Sequence, residues 1–105
     1  MNLEKDEIIQ ILDEHTAAHV AELFRAFSDT SRVRMLSVLT GREMNVNTLA
    51  DAVGISESAV SHHMRSLRQM HLVEARRDGK EVFYRVEDEH IIMLFRQGVK
   101  HIQLG

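Results

Sequence analysis

The sequence has 105 residues, a formal net charge of −3 at neutral pH, seven histidines and no cysteine. A chain of this length forms one domain, or one subunit of a dimer, and its acidic balance argues against indiscriminate binding to nucleic acids. The absence of cysteine excludes disulfides, thiol redox switches and zinc–thiolate sites. There is no signal peptide and no apolar run long enough to span a bilayer, so we expect a cytoplasmic protein.

The first part of the chain has the pattern of two helices. Between Asp6 and Phe27, apolar and histidine side chains recur at helical spacing and form one amphipathic stripe. The stripe consists of Ile8, Leu12, His15, His19, Leu23 and Phe27, with Ile11, Val20 and Phe24 beside it. Asp29 can cap a second helix that runs to about Thr40 and ends at Gly41.

The middle of the chain predicts two short helices joined by a tight turn. One helix is predicted over Val46–Val53 with Asn45 as its cap, and Gly54 follows where a helix end favours positive φ. Ser56 stands where the next helix needs an N-cap, and that helix is predicted over Glu57–Met70. This arrangement is a helix-turn-helix whose second helix is the recognition helix.

The predicted recognition helix has two different faces. Val60, Met64 and Leu67 recur at helical spacing and hold the helix on the body of the domain. The preceding turn and the opposite face carry short polar groups and cations, which suit a DNA major groove because such side chains read base edges and bind phosphates. The predicted DNA-binding residues here are Ser56, Ser58, Ser61, His62, Arg65 and Arg68.

A β-hairpin wing is predicted after the recognition helix. The strand-like runs Leu72–Arg77 and Glu81–Val86 are separated by Asp78-Gly79-Lys80, and Asp-Gly between such runs is a hairpin signal. Residues 58–85 contain six Lys and Arg against three acids, a local balance of +3 in an acidic protein. Three cations near the tip of the wing are predicted to contact the DNA backbone: Arg76, Arg77 and Lys80.

The chain ends in another amphipathic helix, Asp88–Leu104, with an apolar face formed by Ile91, Leu94, Phe95, Val99 and Ile102. The predicted fold is mainly α with a β-hairpin wing, in the order α-α-α-α-β-β-α. It is a winged helix-turn-helix with one additional helix at each end. We expect a single domain over residues 1–105, with the helix-turn-helix at about 46–70, the wing at about 72–87 and dimerisation helices at about 6–27 and 88–104.

The helices at the two ends are not needed to close the three-helix core. Their apolar faces must therefore be buried against another surface. The simplest cover is the same pair of helices from a second copy related by a two-fold axis. Such a homodimer places two recognition helices at successive major grooves, about 34 Å apart, so the operator is expected to be an imperfect inverted repeat. The alternative is a monomer whose end helices pack on each other.

Three residues of the last helix form a candidate metal site: Asp88, His90 and His101. A carboxylate and two imidazoles are ordinary ligands for Zn²⁺ and its neighbours. The two histidines project from one helix face but lie about 16 Å apart along the axis, too far to share an ion whose bonds to nitrogen are about 2 Å long. They can share ions if the helices of two subunits run antiparallel, so that Asp88 and His90 of one chain meet His101 of the other. The spacing therefore predicts two equivalent sites that bridge the dimer.

Because imidazole must be neutral to bind a metal, we expect the metal affinity to fall below about pH 6.

Three segments give the chain a family resemblance: FSDTSRVRMLSVL, VGISESAVSHHMRSLR and LVEARRDGKEVFYRV. In this order they resemble the ArsR/SmtB family of bacterial metal-sensing repressors, over about Ala17 to Gln103. The resemblance implies a dimeric repressor that leaves its operator when it binds an inducing metal. The chain departs from the family at Thr30, where proline is usual, and at His63, where glutamine is common.

The terminal helix resembles the family signature D-x-H-x10-H-x2-E/H, in which Asp88, His90 and His101 match. The fourth position is Leu104, which cannot coordinate a metal. A water, Gln103, the terminal carboxylate or a histidine of the first helix can complete the coordination. We expect Zn²⁺ as the inducer, with Co²⁺ or Ni²⁺ as alternatives.

Two other metal sites are conceivable, one from the family and one from the spacing of two histidines. The family's site on the third helix uses cysteine, whereas this chain has Asn45 and Thr48 at those positions, so we exclude that site. His15 and His19 are four residues apart, a spacing that can chelate one ion. They are either additional ligands of the terminal-helix site or interface histidines.

Two alternative functions compete with this one. One is an ArsR-type DNA-binding regulator that does not sense metal at this helix and is constitutive or responds to a small molecule. The other is an enzyme, because three metal ligands with an open position can activate water. The sequence contains nothing resembling a substrate pocket or a second catalytic group, so we expect no enzymatic activity.

Overall fold

The computed structural model describes residues 10–105. Its helices are α1 (Glu14–Ala26), α2 (Thr30–Leu39), α3 (Val46–Val53), α4 (Glu57–Gln69) and α5 (Glu89–Leu104), and its strands are β1 (Met44–Asn45), β2 (Glu74–Asp78) and β3 (Glu81–Arg85). The strands form one antiparallel sheet in the order β1-β3-β2. This architecture confirms the predicted winged helix-turn-helix with an additional helix at each end.

Helix α1 begins later than the apolar pattern indicates. Residues 10–13 are not helical, and Asp13 caps the helix by accepting a hydrogen bond from the backbone N–H of Thr16 at 3.0 Å. The predicted helix from Asp6 is therefore wrong over residues 10–13, because an N-cap residue takes an extended backbone even where the apolar spacing continues. The first part of that prediction, residues 6–9, lies outside the residues that the structure describes.

The hydrophobic core lies where α2, α3 and α4 meet. Its largest fully buried side chains are Met35, Leu36, Leu39, Leu49, Val60, Met64 and Leu67. The last three are the inward face predicted for the recognition helix. Burying an aliphatic side chain of this size stabilises the fold by about 1.5–3 kcal/mol, so this face holds α4 firmly and leaves its opposite face exposed.

Strand β1 was not predicted. Its two residues pair with β3, Met44 with Tyr84 and Asn45 with Phe83. A two-residue strand has no periodicity to detect, and it forms only because the folded wing brings β3 alongside the start of α3. The strand joins the wing to the helix-turn-helix by backbone hydrogen bonds.

The turn between α3 and α4 has both predicted caps. Gly54 takes a φ of +80°, and its N–H donates to the carbonyl of Ala50 at 2.8 Å. The hydroxyl of Ser56 accepts a hydrogen bond from the N–H of Ala59 at 3.0 Å. The glycine allows a left-handed residue at the end of α3, and the serine satisfies one of the free N–H groups at the start of α4.

We expect Ser56→Ala to lower the free energy of unfolding by about 1 kcal/mol, because it leaves the Ala59 N–H without its cap. The measurement is urea denaturation at fixed protein concentration. Ser58→Ala is the matched control, since Ser58 is exposed in the first turn of the same helix and its loss should cost less than about 0.5 kcal/mol. Equal losses in the two variants would contradict the capping role.

Apolar side chains of α1 and α5 remain uncovered in the single chain. Phe24 is 51% exposed and Ile102 is 77% exposed, and both line an apolar groove of about 700 Å³ between these helices. The radius of gyration is 17.0 Å, whereas a compact domain of about 100 residues has about 13 Å. The end helices therefore extend from the core with an open apolar surface. No helix of residues 10–105 has the length and apolar character to cross a membrane.

Candidate DNA-binding face and metal site

Helix α4 presents a polar face opposite its buried one. Ser58, His62, Arg65 and Arg68 are exposed, and Ser61 is half-buried. Their spacing of three and four residues aligns them along one side of the helix. The structure thus brings these predicted DNA-binding residues together on one accessible surface, with Ser56 at its N-terminal end as the helix cap.

Hydrogen bonds between side chains and neighbouring elements hold this face in place. Three of them are Arg34 Nη1 to the Val53 carbonyl (2.9 Å), Asn47 Nδ2 to Glu57 Oε2 (3.0 Å) and Arg32 Nε to His63 Nδ1 (3.1 Å). The last bond turns His63 towards α2, away from the exposed face. The same Arg32 donates its backbone N–H to Asp29, and this hydrogen bond lowers the pKa of Asp29 below its ordinary value.

The wing has the predicted hairpin geometry. Strands β2 and β3 pair from Glu74 with Arg85 to Asp78 with Glu81, and Gly79 in the turn takes a φ of +64°, which glycine adopts at low cost. Arg77 and Lys80 are exposed at this end of the wing. The structure leaves both cations accessible to a phosphate backbone.

Arg76, the third predicted wing contact, already has a protein partner. Its Nη2 and Nε donate to the two carboxylate oxygens of Glu43 at 2.7 and 3.1 Å. Its guanidinium also lies 4.8 Å from the centre of the Phe83 ring. The sequence pattern placed Arg76 with the other wing cations because Glu43 lies 33 residues away in the chain.

Asp88 and His90 form the N-terminal end of α5 and lie against each other. One carboxylate oxygen of Asp88 caps the helix by accepting from the His90 backbone N–H at 2.8 Å, and it is 3.1 Å from the His90 Nδ1. The backbone hydrogen bond is the main reason that the pKa of Asp88 is lowered. Both side chains are open to solvent, His90 almost fully. This pair offers an anionic oxygen and an imidazole to an incoming ion.

His101 lies at the other end of the same unbroken helix. Eleven residues of helix separate it from His90 by about 16 Å. Within residues 10–105 of one chain, no group of three or more potential metal ligands is close enough to hold an ion. The donor set of Asp88, His90 and His101 fits a zinc-type ion chemically, and it needs a second chain to be assembled.

Asp88 also lines a cavity of about 500 Å³ together with His19, Glu22 and His71. The Nδ1 of His19 is 2.9 Å from the carbonyl of His15, which leaves its Nε2 as the nitrogen available for a ligand. His15 does not line this cavity, although its ring is 4.5 Å from that of His19, centre to centre. The structure therefore places His19, and not His15, in the lining of the cavity that also involves Asp88.

His71 ends the recognition helix in a strained conformation. Its φ is +61°, in the left-handed region, which costs a non-glycine residue about 1–2 kcal/mol. Two hydrogen bonds compensate at this helix end, from the His71 N–H to the Arg68 carbonyl (3.0 Å) and from the Leu72 N–H to the Leu67 carbonyl (2.9 Å). His71, just after α4, and Asp88, the cap of α5, line the same cavity of about 500 Å³.

Sequence reasoning missed the residues that orient the two DNA-binding elements. Glu43 holds the wing, and Arg32, Arg34 and Asn47 hold the helix-turn-helix. Their partners lie 10 to 33 residues away. No local pattern marks such long-range pairs, and the only signal was that Asn47 and Glu57 flank the predicted turn.

The chain matches a family model described as "Bacterial regulatory protein, arsR family" over residues 29–75. It is 42% identical over 94 residues to the "Transcriptional repressor SmtB homolog" of Synechocystis sp. (strain ATCC 27184 / PCC 6803 / Kazusa). That alignment covers 90% of this chain and 71% of the relative.

Solved structures with a similar fold include two transcriptional regulators. The AntR antimony-specific transcriptional repressor aligns with a TM-score of 0.82 at 27% identity, over 95% of this chain and 89% of that one. The homodimeric winged helix-turn-helix DNA-binding domain of Mb0332 from Mycobacterium bovis, a possible ArsR-family transcriptional regulator, aligns with a TM-score of 0.76 at 30% identity. That alignment covers 91% of this chain and 94% of the other.

Proposed function

This chain belongs to the ArsR family of bacterial regulatory proteins, and we propose that it is a metal-responsive transcriptional repressor that binds its operator as a homodimer. The observation that carries the proposal is the exposed polar face of α4, on a helix whose C-terminal end shares a cavity with Asp88. Regulation of transcription by binding DNA is the activity of its relatives and of the family. Because its partner is bacterial DNA, we place the repressor in the cytoplasm.

The DNA-binding surface consists of the exposed face of α4 and the tip of the wing. Arg65 and Arg68 provide cations for guanine or phosphate, while Ser58, Ser61 and His62 provide short hydrogen-bonding groups for base edges. Arg77 and Lys80 bind the adjacent backbone electrostatically. Two such surfaces, related by a two-fold axis, read an inverted repeat.

The open apolar groove between α1 and α5 supports the homodimer. Large apolar side chains that stay exposed together, such as Phe24 and Ile102, are typical of a protein–protein interface. The similar Mycobacterium bovis domain is homodimeric, and a two-fold axis places the same groove on both subunits. The dimer also brings together ligands that one chain holds about 16 Å apart.

Asp88 and His90 of one subunit, with His101 of the other, would hold the inducing metal. The proposed ion is Zn²⁺, with Co²⁺ or Ni²⁺ as alternatives, because oxygen and imidazole donors suit all three. Such an ion links the two terminal helices. Leu104 cannot supply a fourth ligand, and His19, which lines a cavity with Asp88, would reach the ion only if α1 and α5 came closer together than they are in the single chain.

The chain itself provides a route from this site to the DNA. Asp88 caps α5 and lines the cavity that contains His71, the residue that ends the recognition helix. A shift of the Asp88–His90 end therefore acts on the C-terminal end of α4. We propose that this shift changes the angle between the two recognition helices, so that they no longer fit successive grooves.

The test is selection of bound duplexes from a random pool, followed by anisotropy titration of the selected DNA with ZnCl₂ and then EDTA. We expect an inverted-repeat sequence, its release by zinc, and its recovery with EDTA. Binding that is indifferent to zinc, cobalt and nickel would favour a regulator that does not sense metal at this helix. Failure to select any sequence would refute the DNA-binding proposal.

Arg77→Ala is expected to weaken operator and random DNA by similar factors, because Arg77 contacts phosphate rather than bases. The slope of log K against log salt should fall by about two for the homodimer, one for each subunit. Lys100→Ala is the matched control: it also removes one exposed cation, but from α5. A loss confined to the operator would show that Arg77 reads a base instead.

A further inference from the structure

Two elements outside the hairpin hold the wing. The first contact is the two-pronged ion pair between Arg76 in β2 and Glu43 in the loop before β1. An arginine fork on a carboxylate is directional as well as attractive, because both N–H groups must align with both oxygens. The stacking of the guanidinium on Phe83 restricts it further.

The second contact joins the wing to the start of α3. Asn45 Nδ2 donates to Glu81 Oε1 at 2.8 Å, while the Asn45 side-chain oxygen caps α3 by accepting from the Thr48 N–H at 2.8 Å. The backbone pairing of β1 with β3 lies between these two contacts. One short segment, residues 43–45, therefore connects β2, β3 and the first helix of the helix-turn-helix.

We infer that Arg76 and Glu43 act as a positioning clamp that sets the angle of the wing relative to the recognition helix, and that Arg76 is not a phosphate contact. The inference rests on the proposed DNA binding, since it concerns how the wing meets the backbone. It replaces the direct DNA contact that the sequence pattern predicted for Arg76. Arg77 and Lys80 remain the phosphate-binding cations of the wing.

Burial and charge support the clamp. The Glu43 side chain is only 26% exposed, and its hydrogen bonds from Arg76 lower the pKa of Glu43. A third group, Asp78, has a carboxylate oxygen 3.9 Å from Arg76 Nη1. The half-exposed Arg76 guanidinium stays charged, but two of its N–H groups already bind Glu43 and one of its faces lies on Phe83, so leaving this environment for a phosphate would cost these contacts.

Glu43→Gln tests whether Arg76 is a clamp or a phosphate contact, because the two roles predict opposite changes in operator affinity. If Arg76 bound phosphate, removing Glu43's negative charge would free the arginine and strengthen DNA binding. If the pair is a clamp, the wing loosens, and we expect operator affinity to fall about 5-fold or more, since each homodimer loses two ion pairs. Anisotropy titration measures the affinity, and Asp51→Asn is the matched control because Asp51 is an exposed acid on α3. The control should leave the affinity unchanged or slightly increased.

Arg76→Lys provides the second discrimination. Lysine keeps the charge but cannot form a bidentate hydrogen bond to a carboxylate. If Arg76 is a clamp, Arg76→Lys should therefore weaken operator binding nearly as much as Arg76→Ala. A direct phosphate contact predicts that lysine retains most of the affinity. In Arg76→Ala the slope of log K against log salt should remain unchanged if Arg76 is a clamp, whereas a direct phosphate contact predicts that the slope falls by about two for the homodimer.

Hydrogen exchange without DNA tests the clamp independently of function. In Glu43→Gln the backbone amides that join β1 to β3 should exchange about 5-fold faster or more, while amides in α4 keep their rate. An unchanged rate at β1 and β3, or stronger operator binding by Glu43→Gln, would overturn the inference. Failure of the native protein to select any DNA would instead refute the proposed function and leave the exchange result standing.

Discussion

Zinc is expected to lower the operator affinity of the native homodimer about 150-fold, which corresponds to a coupling of about 3 kcal/mol, and to have no such effect on His90→Ala. His90 is nearly fully exposed, so its removal should leave the fold and metal-free DNA binding intact. Anisotropy titrations at one salt concentration, with and without ZnCl₂, measure both affinities. His15→Ala is the matched control, because His15 is an exposed histidine that does not line the cavity beside Asp88.

The same coupling must appear in the opposite direction. By linkage, saturating operator DNA should lower the product of the two zinc-binding constants of the dimer by the same factor of about 150, which is about 12-fold for each of two equivalent sites. Competition with a zinc indicator dye, with and without DNA, measures this directly. A full zinc response in His90→Ala would remove His90 from the site, and loss of metal-free DNA binding in that variant would make the residue structural.

Mixing two inactive variants tests whether the site is shared between subunits. Neither His90→Ala nor His101→Ala can form a complete site alone. Equal mixing gives roughly half mixed dimers, each with one intact site of two, so about one quarter of the native zinc capacity should return. No return after subunit exchange would mean that each site lies within one chain, against the length of α5.

Phe24→Asp is expected to dissociate the dimer and to lower operator affinity about 100-fold or more. Phe24 is half exposed in the single chain and lines the apolar groove between α1 and α5. A two-fold interface loses the buried ring twice, at about 1.5–3 kcal/mol each, and must bury two carboxylates. Analytical ultracentrifugation measures the dimer dissociation constant, and anisotropy titration measures the DNA affinity.

Ala18→Glu is the control for an added charge on α1. Ala18 is exposed and lies about 120° round the helix from Phe24. It should leave both the dimer and DNA binding unchanged. Circular dichroism of Phe24→Asp should show a folded monomer, since the residue makes no part of the buried core. A dimer that survives this substitution would contradict the proposed interface.

Caps and spacing predicted most of the helix-turn-helix. The bounds of α3, its cap at Asn45, and the glycine and serine of the following turn agree with the structure. These features act over three or four residues, so the local sequence contains all the information needed. The start of α1 was predicted wrongly because apolar spacing continued past the Asp13 cap.

The sequence predicted which residues form the candidate metal site, but not which other residues surround them in the fold. The spacing of His90 and His101 excludes a shared ion within one helix, and the continuous α5 agrees with that. The cavity that joins Asp88, His19 and His71 was not predictable, because it lies between three elements far apart in the chain. Side chains that meet across such distances leave no periodic signal.

The sequence by itself determined the order of the helices, the wing and the polar face of the recognition helix, and it singled out candidate ligands on the terminal helix, because each depends on residue type at short spacing. Only the tertiary structure decided that Arg76 binds Glu43, that β1 joins the wing to α3, and that the end of α4 adjoins the start of α5. These are pairings of distant segments, and they form only when burial of the common core has brought the elements together.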